Sequence, residues 1–135
     1  MSKVYNRVEW AFLEGMMSKL GFSNSWIDRI MRCVISIFFF FLVNRNICGF
    51  IKPTRGLRQG DPLSPYLFFV CVKGLSRLIV KAERRNDIGS FCCSRGGPKL
   101  THLFFVDDSM IFTRASERDC IAIKEVLECY ALAFG

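Results

Sequence analysis

The chain has 135 residues, 51% of them hydrophobic, so it is long enough for one domain with its own core and too apolar for a disordered protein. Lysine and arginine outnumber aspartate and glutamate by 19 to 12, and the net charge of +7 suits a polyanion such as nucleic acid, or a basic domain without such a partner. The 7 cysteines form no C-x-x-C pair, and the one histidine is His102, so no zinc site is indicated.

Nothing in the sequence indicates a membrane or a secreted protein. Residues 1–14 carry charges throughout and lack the apolar stretch of a signal peptide. The longest apolar run, residues 35–43, is far shorter than the roughly 20 residues of a membrane-spanning helix. We therefore expect an intracellular protein with reduced thiols, with the nucleus as one candidate location.

Two amphipathic helices are predicted at the start of the chain. Apolar residues recur with helical spacing over residues 7–20, and Gly21 suits a C-terminal stop. Ser25, with Asp28 three residues later, predicts the start of the second helix. The residues of this helix expected to face the core are Trp26, Ile30, Met31 and Val34.

A β-hairpin is predicted next, from residues 35–43, the polar turn Asn44-Arg45-Asn46 and residues 47–52. Residues 38–41 are four consecutive phenylalanines in its first strand. A strand that is apolar at every position is typical of burial on both faces. If exposed, the same segment would favour aggregation.

Ser64-Pro65 opens the clearest helix, with proline at its first helical position. Its apolar face consists of Leu67, Phe68, Cys71, Val72, Leu75, Leu78, Ile79 and Ala82. Its opposite face is basic and consists of Lys73, Arg77, Lys81 and Arg84. The basic face is either a nucleic-acid contact or an ordinary solvated surface, because any helix that packs on one side needs a polar side.

A glycine-rich loop at Gly96-Gly97-Pro98 precedes a second hairpin pattern, with strands at 103–106 and 110–113 around Asp107-Asp108-Ser109. Ser116 with Asp119 predicts the start of a last helix. The apolar stripe of this helix is Ile123, Val126, Leu127, Tyr130 and Phe134. The order of elements favours an α+β fold, an antiparallel sheet with helices packed on one face.

The pair Asp107-Asp108 stands at the tip of the apolar second hairpin. Burying charges is costly, so the pair is either an exposed turn or a magnesium site, and these residues alone leave both open. Mg²⁺ takes one or two protein carboxylates together with substrate phosphates. A pair of such ions can activate a primer 3′-hydroxyl and stabilise the leaving pyrophosphate, but this needs carboxylates from two neighbouring strands, and Asp107-Asp108 can supply one side.

The loop at residues 55–65, with the sequence RGLRQGDPLSP, is the second candidate site. Its glycines let the backbone approach a ligand closely, and Gln59 offers both a donor and an acceptor. The alternative is a simple connection between a hairpin and a helix. The density of glycine, glutamine and proline favours a binding loop.

Three segments together resemble the reverse transcriptases of non-LTR (LINE-type) retrotransposons. Residues 58–65 (RQGDPLSP), followed about forty residues later by residues 105–108 (FVDD), resemble motifs B and C of these enzymes. The start of the chain, residues 1–10, is similar to their motif A region. The resemblance covers residues 1–135, a partial reverse transcriptase domain from the end of motif A through motif C and the following helix.

The resemblance implies the palm of a right-hand polymerase that copies an RNA template into DNA from a primer, using deoxynucleotide triphosphates and two Mg²⁺ ions. By motif, Asp107 and Asp108 would be the catalytic, metal-binding carboxylates. Tyr5 would be the steric gate that excludes a ribose 2′-hydroxyl, and Gln59 and Gly60 would shape the nucleotide site. The candidate nucleic-acid contacts are Arg58, Lys73, Arg77 and Lys81, and no protein partner can be deduced.

Two departures from the family pattern bear on activity. The metal-binding Asp of motif A would come directly before Met1, and the second acidic position of that motif is Asn6. The usually small residue before the motif C aspartates is Val106. Without that Asp, the fingers and the thumb, we expect the isolated chain to be inactive. The alternatives are a non-catalytic nucleic-acid-binding remnant, the palm of a related polymerase such as an intron maturase, and a chain that does not fold stably alone.

Overall fold

The structure is a computed structural model, and it describes residues 5–105 and 108–135. The elements of these ranges are α1 Trp10–Lys19, α2 Asn24–Ile35, β1 Phe39–Val43, β2 Asn46–Ile51, α3 Ser64–Arg84, β3 Phe91–Cys92, β4 Lys99–Leu100, β5 His102–Phe105, β6 Asp108–Ile111 and α4 Glu117–Phe134. The mixture confirms the predicted α+β class. The described strands pair as small antiparallel hairpins, β1 with β2, β3 with β4 and β5 with β6.

The chain divides into two compact units, which are described separately. Unit 1 is Met1–Cys71 with Phe134–Gly135, and unit 2 is Val72–Ala133. Helix α3 contributes its first part to unit 1 and its longer second part to unit 2. Among the candidate site residues, Tyr5, Arg58, Gln59 and Gly60 therefore lie in unit 1, and Asp108 lies in unit 2.

In unit 1, α1 packs against α2, and each helix turns apolar side chains inward. The buried side chains are Leu13, Met16 and Met17 of α1 and Ile27, Ile30, Met31 and Val34 of α2. Helix α1 ends as predicted at Gly21, whose φ of 88° places it in the left-handed region. The Phe22 N–H donates to the Met17 carbonyl and the Gly21 N–H to the Ser18 carbonyl, at 3.2 and 3.0 Å.

Three details of these helices differ from the predictions. Helix α1 begins at Trp10, three residues later than predicted. The N-cap of α2 is Ser23 rather than Ser25, because the Ser23 carbonyl accepts the first helical hydrogen bonds, from the N–H groups of Trp26 and Ile27 at 3.0 Å. Trp26 was expected in the core, but this residue of the first turn is 48% exposed.

The hairpin β1–β2 is present, but the prediction that its first strand is buried was wrong. Its turn consists of Asn44 and Arg45, whose positive φ values of 50° and 65° suit a two-residue hairpin turn. Asn46, predicted as part of the turn, pairs with Val43 instead. Every residue of β1 is exposed, because no further strand of the described residues pairs with this hairpin.

Helix α3 begins at Ser64, one residue earlier than predicted, so Pro65 is its second residue rather than its first. The predicted apolar face is confirmed, since its side chains are buried or half-buried along the helix. In unit 2, α3 forms a core with Ile88, the hairpin β5–β6 and α4. The residues of this core are Leu75, Ile79, Ala82, Ile88, Phe104, Ile111, Ala122, Ile123, Val126 and Tyr130. Leu127 of α4 was expected there as well but is 40% exposed.

The predicted start of α4 is confirmed, and it includes the buried carboxylate of Asp119. The Ser116 hydroxyl donates to Asp119 Oδ1 at 2.7 Å and accepts from the Asp119 N–H at 3.2 Å. Oδ2 accepts from the Thr113 hydroxyl and the Gly89 N–H, both at 2.6 Å. Hydrogen bonds from Thr113, Ser116 and Gly89 hold the pKa of Asp119 well below its usual range.

The first prediction concerns Asp119→Asn, which we expect to destabilise the folded chain above pH 4, because the amide replaces a carboxylate oxygen that accepts several hydrogen bonds. Because the pKa is depressed in the folded state, this carboxylate stabilises the fold above the ordinary aspartate pKa of 3.8, and the contribution is lost as the pH falls below it. Urea unfolding by circular dichroism between about pH 3 and pH 7 measures both effects.

The matched control is Glu117→Gln, which removes an exposed carboxylate from the first turn of the same helix. We expect this control to unfold at nearly the same urea concentration as the unchanged chain. Equal unfolding curves for Asp119→Asn and the unchanged chain across the pH range would contradict the structural role of Asp119.

Candidate functional site

In unit 1, the loop before α3 is held against the segment that follows Tyr5. The Leu57 N–H donates to the Tyr5 carbonyl and the Gly56 N–H to the Val8 carbonyl, both at 2.8 Å. The indole N–H of Trp10 donates to the Gly56 carbonyl, also at 2.8 Å. These hydrogen bonds join the segment that resembles motif A to the two residues directly before the segment that resembles motif B.

Gly56 makes the close approach of these segments possible. Its φ is +91°, and a Cβ at this position would lie 3.0 Å from both the Cα and the carbonyl oxygen of Asn6. The loop therefore requires glycine here for contact with its own chain, rather than for the approach to a ligand that the sequence suggested. Gly60 also has a positive φ, +84°, but the space beside it is open.

The ring of Tyr5 has a fixed neighbour. It stacks on Phe68 of α3 with ring centroids 4.9 Å apart and an interplanar angle of 23°. Phe68 in turn meets the edge of Phe134 at 6.3 Å. Tyr5 is half-buried, so the predicted gate residue is positioned by aromatic packing and by the hydrogen bond from Leu57 to its carbonyl.

Arg58, Gln59 and Gly60 are exposed at the surface of unit 1, where a ligand can reach them. Asp61, which follows them, has a structural task that the sequence did not reveal. Its Oδ1 accepts from the Leu63 N–H at 2.8 Å, and its carbonyl accepts from the Ser64 N–H at 3.2 Å. Asp61 thus turns the chain into α3 directly after the exposed residues.

In unit 2, the candidate catalytic hairpin is β5–β6. Phe105 pairs with Asp108, and Phe104 pairs with Ser109. Asp108 and Ser109 thus lie in strand β6, and their predicted place in the turn was wrong. The side chain of Asp108 is exposed at the start of this strand. Asp107, the other predicted carboxylate, and Val106 lie outside the described residues.

His102 connects this hairpin to α3. Its Nε2 lies 2.7 Å from the Ser76 hydroxyl and its Nδ1 lies 2.9 Å from the Thr101 hydroxyl. A neutral imidazole satisfies both contacts, because a hydroxyl can donate or accept. Burial, and then the charge of Lys73, lower the pKa of His102. No local sequence pattern indicates this contact, because Ser76 and His102 are 26 positions apart.

The predicted basic residues of α3 are all exposed on the helix side away from the core. They are Lys73, Arg77, Lys81 and Arg84. A cleft of about 460 Å³ lies between α3 and α4, and Lys81 is the one residue of this basic set among its lining residues, together with Arg85 and Arg118. The lining of this cleft includes no residue of β5 or β6, so the cleft is separate from the candidate catalytic hairpin.

The available metal ligands are few in the part of the chain that the structure describes. Asp108 offers the hard oxygen ligand that Mg²⁺ prefers, so the type of donor fits this ion. Over residues 5–105 and 108–135, no three histidine, cysteine, aspartate or glutamate side chains lie close enough to hold a metal ion. No disulfide joins the cysteines, all of which lie in the described residues, and burial raises the pKa of Cys71 to about 12.

Comparison with known proteins decides the family. A family model described as reverse transcriptase (RNA-dependent DNA polymerase) matches residues 1–134. The chain belongs to the reverse transcriptase family. An uncharacterized mitochondrial protein of Arabidopsis thaliana is 41% identical over 76 residues, and the match covers 56% of this chain and 62% of that protein. Membership confirms the family predicted from motifs B and C, whereas the LINE type stays a prediction. None of the helices in the described residues combines the length and the apolar character that a membrane span requires.

The second prediction compares two glycines of this reverse transcriptase loop. Gly60→Ala should cost about 1–2 kcal/mol in free energy of unfolding, because alanine is strained at positive φ. Gly56→Ala should cost about 1–3 kcal/mol more, because its Cβ would also press on the Asn6 backbone. Urea unfolding of both variants measures the difference.

Gly15→Ala is the control, because Gly15 has neither a positive φ nor a close neighbour. Gly15 lies inside α1 with open space beside it, so alanine there should stabilise the chain by about 0.5–1 kcal/mol. Equal losses of stability for Gly56→Ala and Gly60→Ala would show that the Asn6 contact is not tight in solution.

The third prediction concerns His102. Because its pKa is lowered in the folded state, the unfolded chain binds more protons near its ordinary pKa of 6.5, and stability should fall as the pH falls through this value. His102→Gln should flatten this part of the pH dependence. Proton NMR titration reports the folded pKa directly, since the chain has one histidine. A folded pKa of 6.5 or above would contradict the half-buried neutral ring.

Proposed function

We propose that this chain is part of the palm of a reverse transcriptase of the non-LTR retrotransposon type. The reaction is the addition of deoxynucleotides to the 3′-hydroxyl of a primer, directed by an RNA template. The observation that carries the proposal is the pairing of Phe105 with Asp108, which makes the exposed Asp108, the residue after Asp107 in the sequence, the first residue of β6. The intron maturase palm is the alternative within the same reaction class.

Each candidate residue has a role in this proposal. Asp107 and Asp108 would hold Mg²⁺, which when bound helps deprotonate the primer hydroxyl and neutralises phosphate charge. Tyr5 would block a ribose 2′-hydroxyl, a task that suits a ring held in place by Phe68. Gln59 and Gly60 would border the nucleotide, since both are exposed and Gly60 has open space beside its Cα.

We propose further that the 135-residue chain, taken alone, binds nucleic acid without extending a primer. Two-metal nucleotidyl transfer needs carboxylates on both sides of the metal pair, and one hairpin bearing Asp107 and Asp108 supplies one side. Phosphoryl transfer depends mainly on positioning and charge neutralisation, so an incomplete ligand set should remove nearly all activity.

The fourth prediction tests this directly. Incubated with a primed RNA template, deoxynucleotide triphosphates and Mg²⁺, the chain should leave the primer unextended, as measured on a denaturing gel. The matched variant is Asp108→Asn, which keeps the shape of the side chain and removes its charge. Template-dependent extension that disappears in Asp108→Asn would contradict the inactive state and identify Asp108 as a catalytic residue.

The nucleic-acid binding in this proposal, which needs no catalysis, is favoured by the exposed basic side of α3. Lys73, Arg77 and Lys81 follow one another at intervals of four, so they form a row on one side of the helix. A row of cations binds a phosphate backbone without reading its sequence, and each neutralised phosphate adds to the salt dependence of binding. Arg58 would add a contact from unit 1.

The fifth prediction measures the contribution of this row. Replacing Lys73, Arg77 and Lys81 by alanine should weaken binding to a labelled single-stranded oligonucleotide. It should also reduce the slope of log K against log salt by about 2, because each phosphate contact contributes about 0.7. Fluorescence anisotropy at several salt concentrations measures both.

The control removes the same charge from elsewhere in unit 2, by alanine substitution of the exposed Arg95, Lys99 and Lys124. We expect this control to change the slope far less, because it alters the net charge without altering the row. Equal effects of the two triple variants would assign the binding to net charge alone.

The relative from Arabidopsis thaliana is described as mitochondrial, which adds mitochondria to the candidate locations alongside the nucleus.

A further inference from the structure

The hairpin β1–β2 has an aromatic face that the proposed catalytic residues do not use. Phe40 and Phe50 are directly paired across the two strands, so their side chains lie on the same face. The ring of Phe38 meets the edge of Phe50 with centroids 6.0 Å apart. We call Phe38, Phe40 and Phe50 the aromatic face.

The rings of the aromatic face are accessible. Phe40 is 63% exposed and Phe50 is 65% exposed. Within the described residues, no third strand pairs with β1 or β2. Two exposed rings side by side offer flat apolar surfaces of the size of a nucleobase.

One cation lies next to this face, another lies in the hairpin turn, and negative charge is absent from this part of the sequence. The ammonium of Lys52 lies 5.8 Å from the centroid of the Phe38 ring, next to the aromatic face. Arg45 forms part of the hairpin turn. From residue 29 to residue 60 the sequence has six lysines and arginines and no aspartate or glutamate, and one of the six, Arg55, pairs with Glu9 at 3.5 Å. Such a surface complements a polyanion, whereas an uncharged apolar partner would gain nothing from the cations.

Single-stranded nucleic acid is the partner that satisfies both features. Its bases can stack on aromatic rings, and its phosphates attract nearby cations. In a duplex the base faces are already stacked, so a duplex could use only the charge. We propose that the aromatic face binds single-stranded nucleic acid, with bases stacked on Phe40 and Phe50 and phosphates near Lys52 and Arg45. The inference goes beyond the proposed function, because it assigns a contact surface outside motifs B and C and shares with that function only the class of partner.

The test uses the whole chain, a labelled single-stranded oligonucleotide of twelve nucleotides and fluorescence anisotropy. Phe40→Leu keeps an apolar side chain and removes the aromatic ring, so it should weaken binding about fivefold or more if a base stacks there. Phe40→Trp should bind at least as tightly as the unchanged chain. The control is Leu132→Ala, which shortens another highly exposed apolar side chain, in α4, and should leave the affinity unchanged.

The possible results separate this inference from the proposed function. If the chain binds the oligonucleotide and Phe40→Leu binds equally well, the aromatic face is not a stacking surface, while binding through α3 remains. No binding at low salt would overturn the inference as well. If the chain forms a dimer that Phe40→Asp dissociates, and Phe40→Leu does not alter oligonucleotide affinity, the face belongs to a second copy of the chain.

Discussion

The burial of the Asp119 carboxylate is the constraint on which unit 2 depends. A buried carboxylate is costly unless donors surround it, and here the donors come from separate segments, at Gly89, Thr113 and Ser116. Gly89 lies just before β3, Thr113 follows β6, and Ser116 precedes α4. The Asp119 side chain therefore attaches both ends of the segment that contains β3 to β6 to the start of α4. Because His102 joins β5 to α3, the strand that carries Asp108 is held from two sides.

In unit 1, backbone hydrogen bonds rather than a buried carboxylate position the candidate site residues. The loop that carries Gln59 and Gly60 follows a stretch fixed by hydrogen bonds to Tyr5 and Val8, and Gly56 allows the approach. These contacts involve no titrating group, so pH should affect them little. The side chains that would meet a nucleotide remain exposed beside a rigid stretch of backbone. A binding loop on a fixed support loses less conformational entropy when it binds a ligand.

The features that the sequence predicted well are set by residues a few positions apart. The apolar face of α3, the stop at Gly21 and the start of α4 at Ser116 each follow from helical spacing or local capping. The features that it missed depend on distant partners. The exposure of β1 depends on which elements pair with it, and the need for glycine at residue 56 depends on Asn6. A local pattern identifies an apolar strand but cannot tell whether another element covers it.

The exposed hairpin β1–β2 has properties that the proposed reaction requires of a template-binding surface. A polymerase that copies any template must hold a single strand without preferring a sequence. Hydrogen bonds to base edges would introduce such a preference, whereas stacking on a ring accepts every base. On the other face of the hairpin, Phe41 is paired with Gly49, so no side chain of the neighbouring strand packs against the Phe41 ring. An exposed strand rich in phenylalanine lowers solubility when nothing covers it. The same strand suits a surface on which bases stack while nearby cations attract the phosphates.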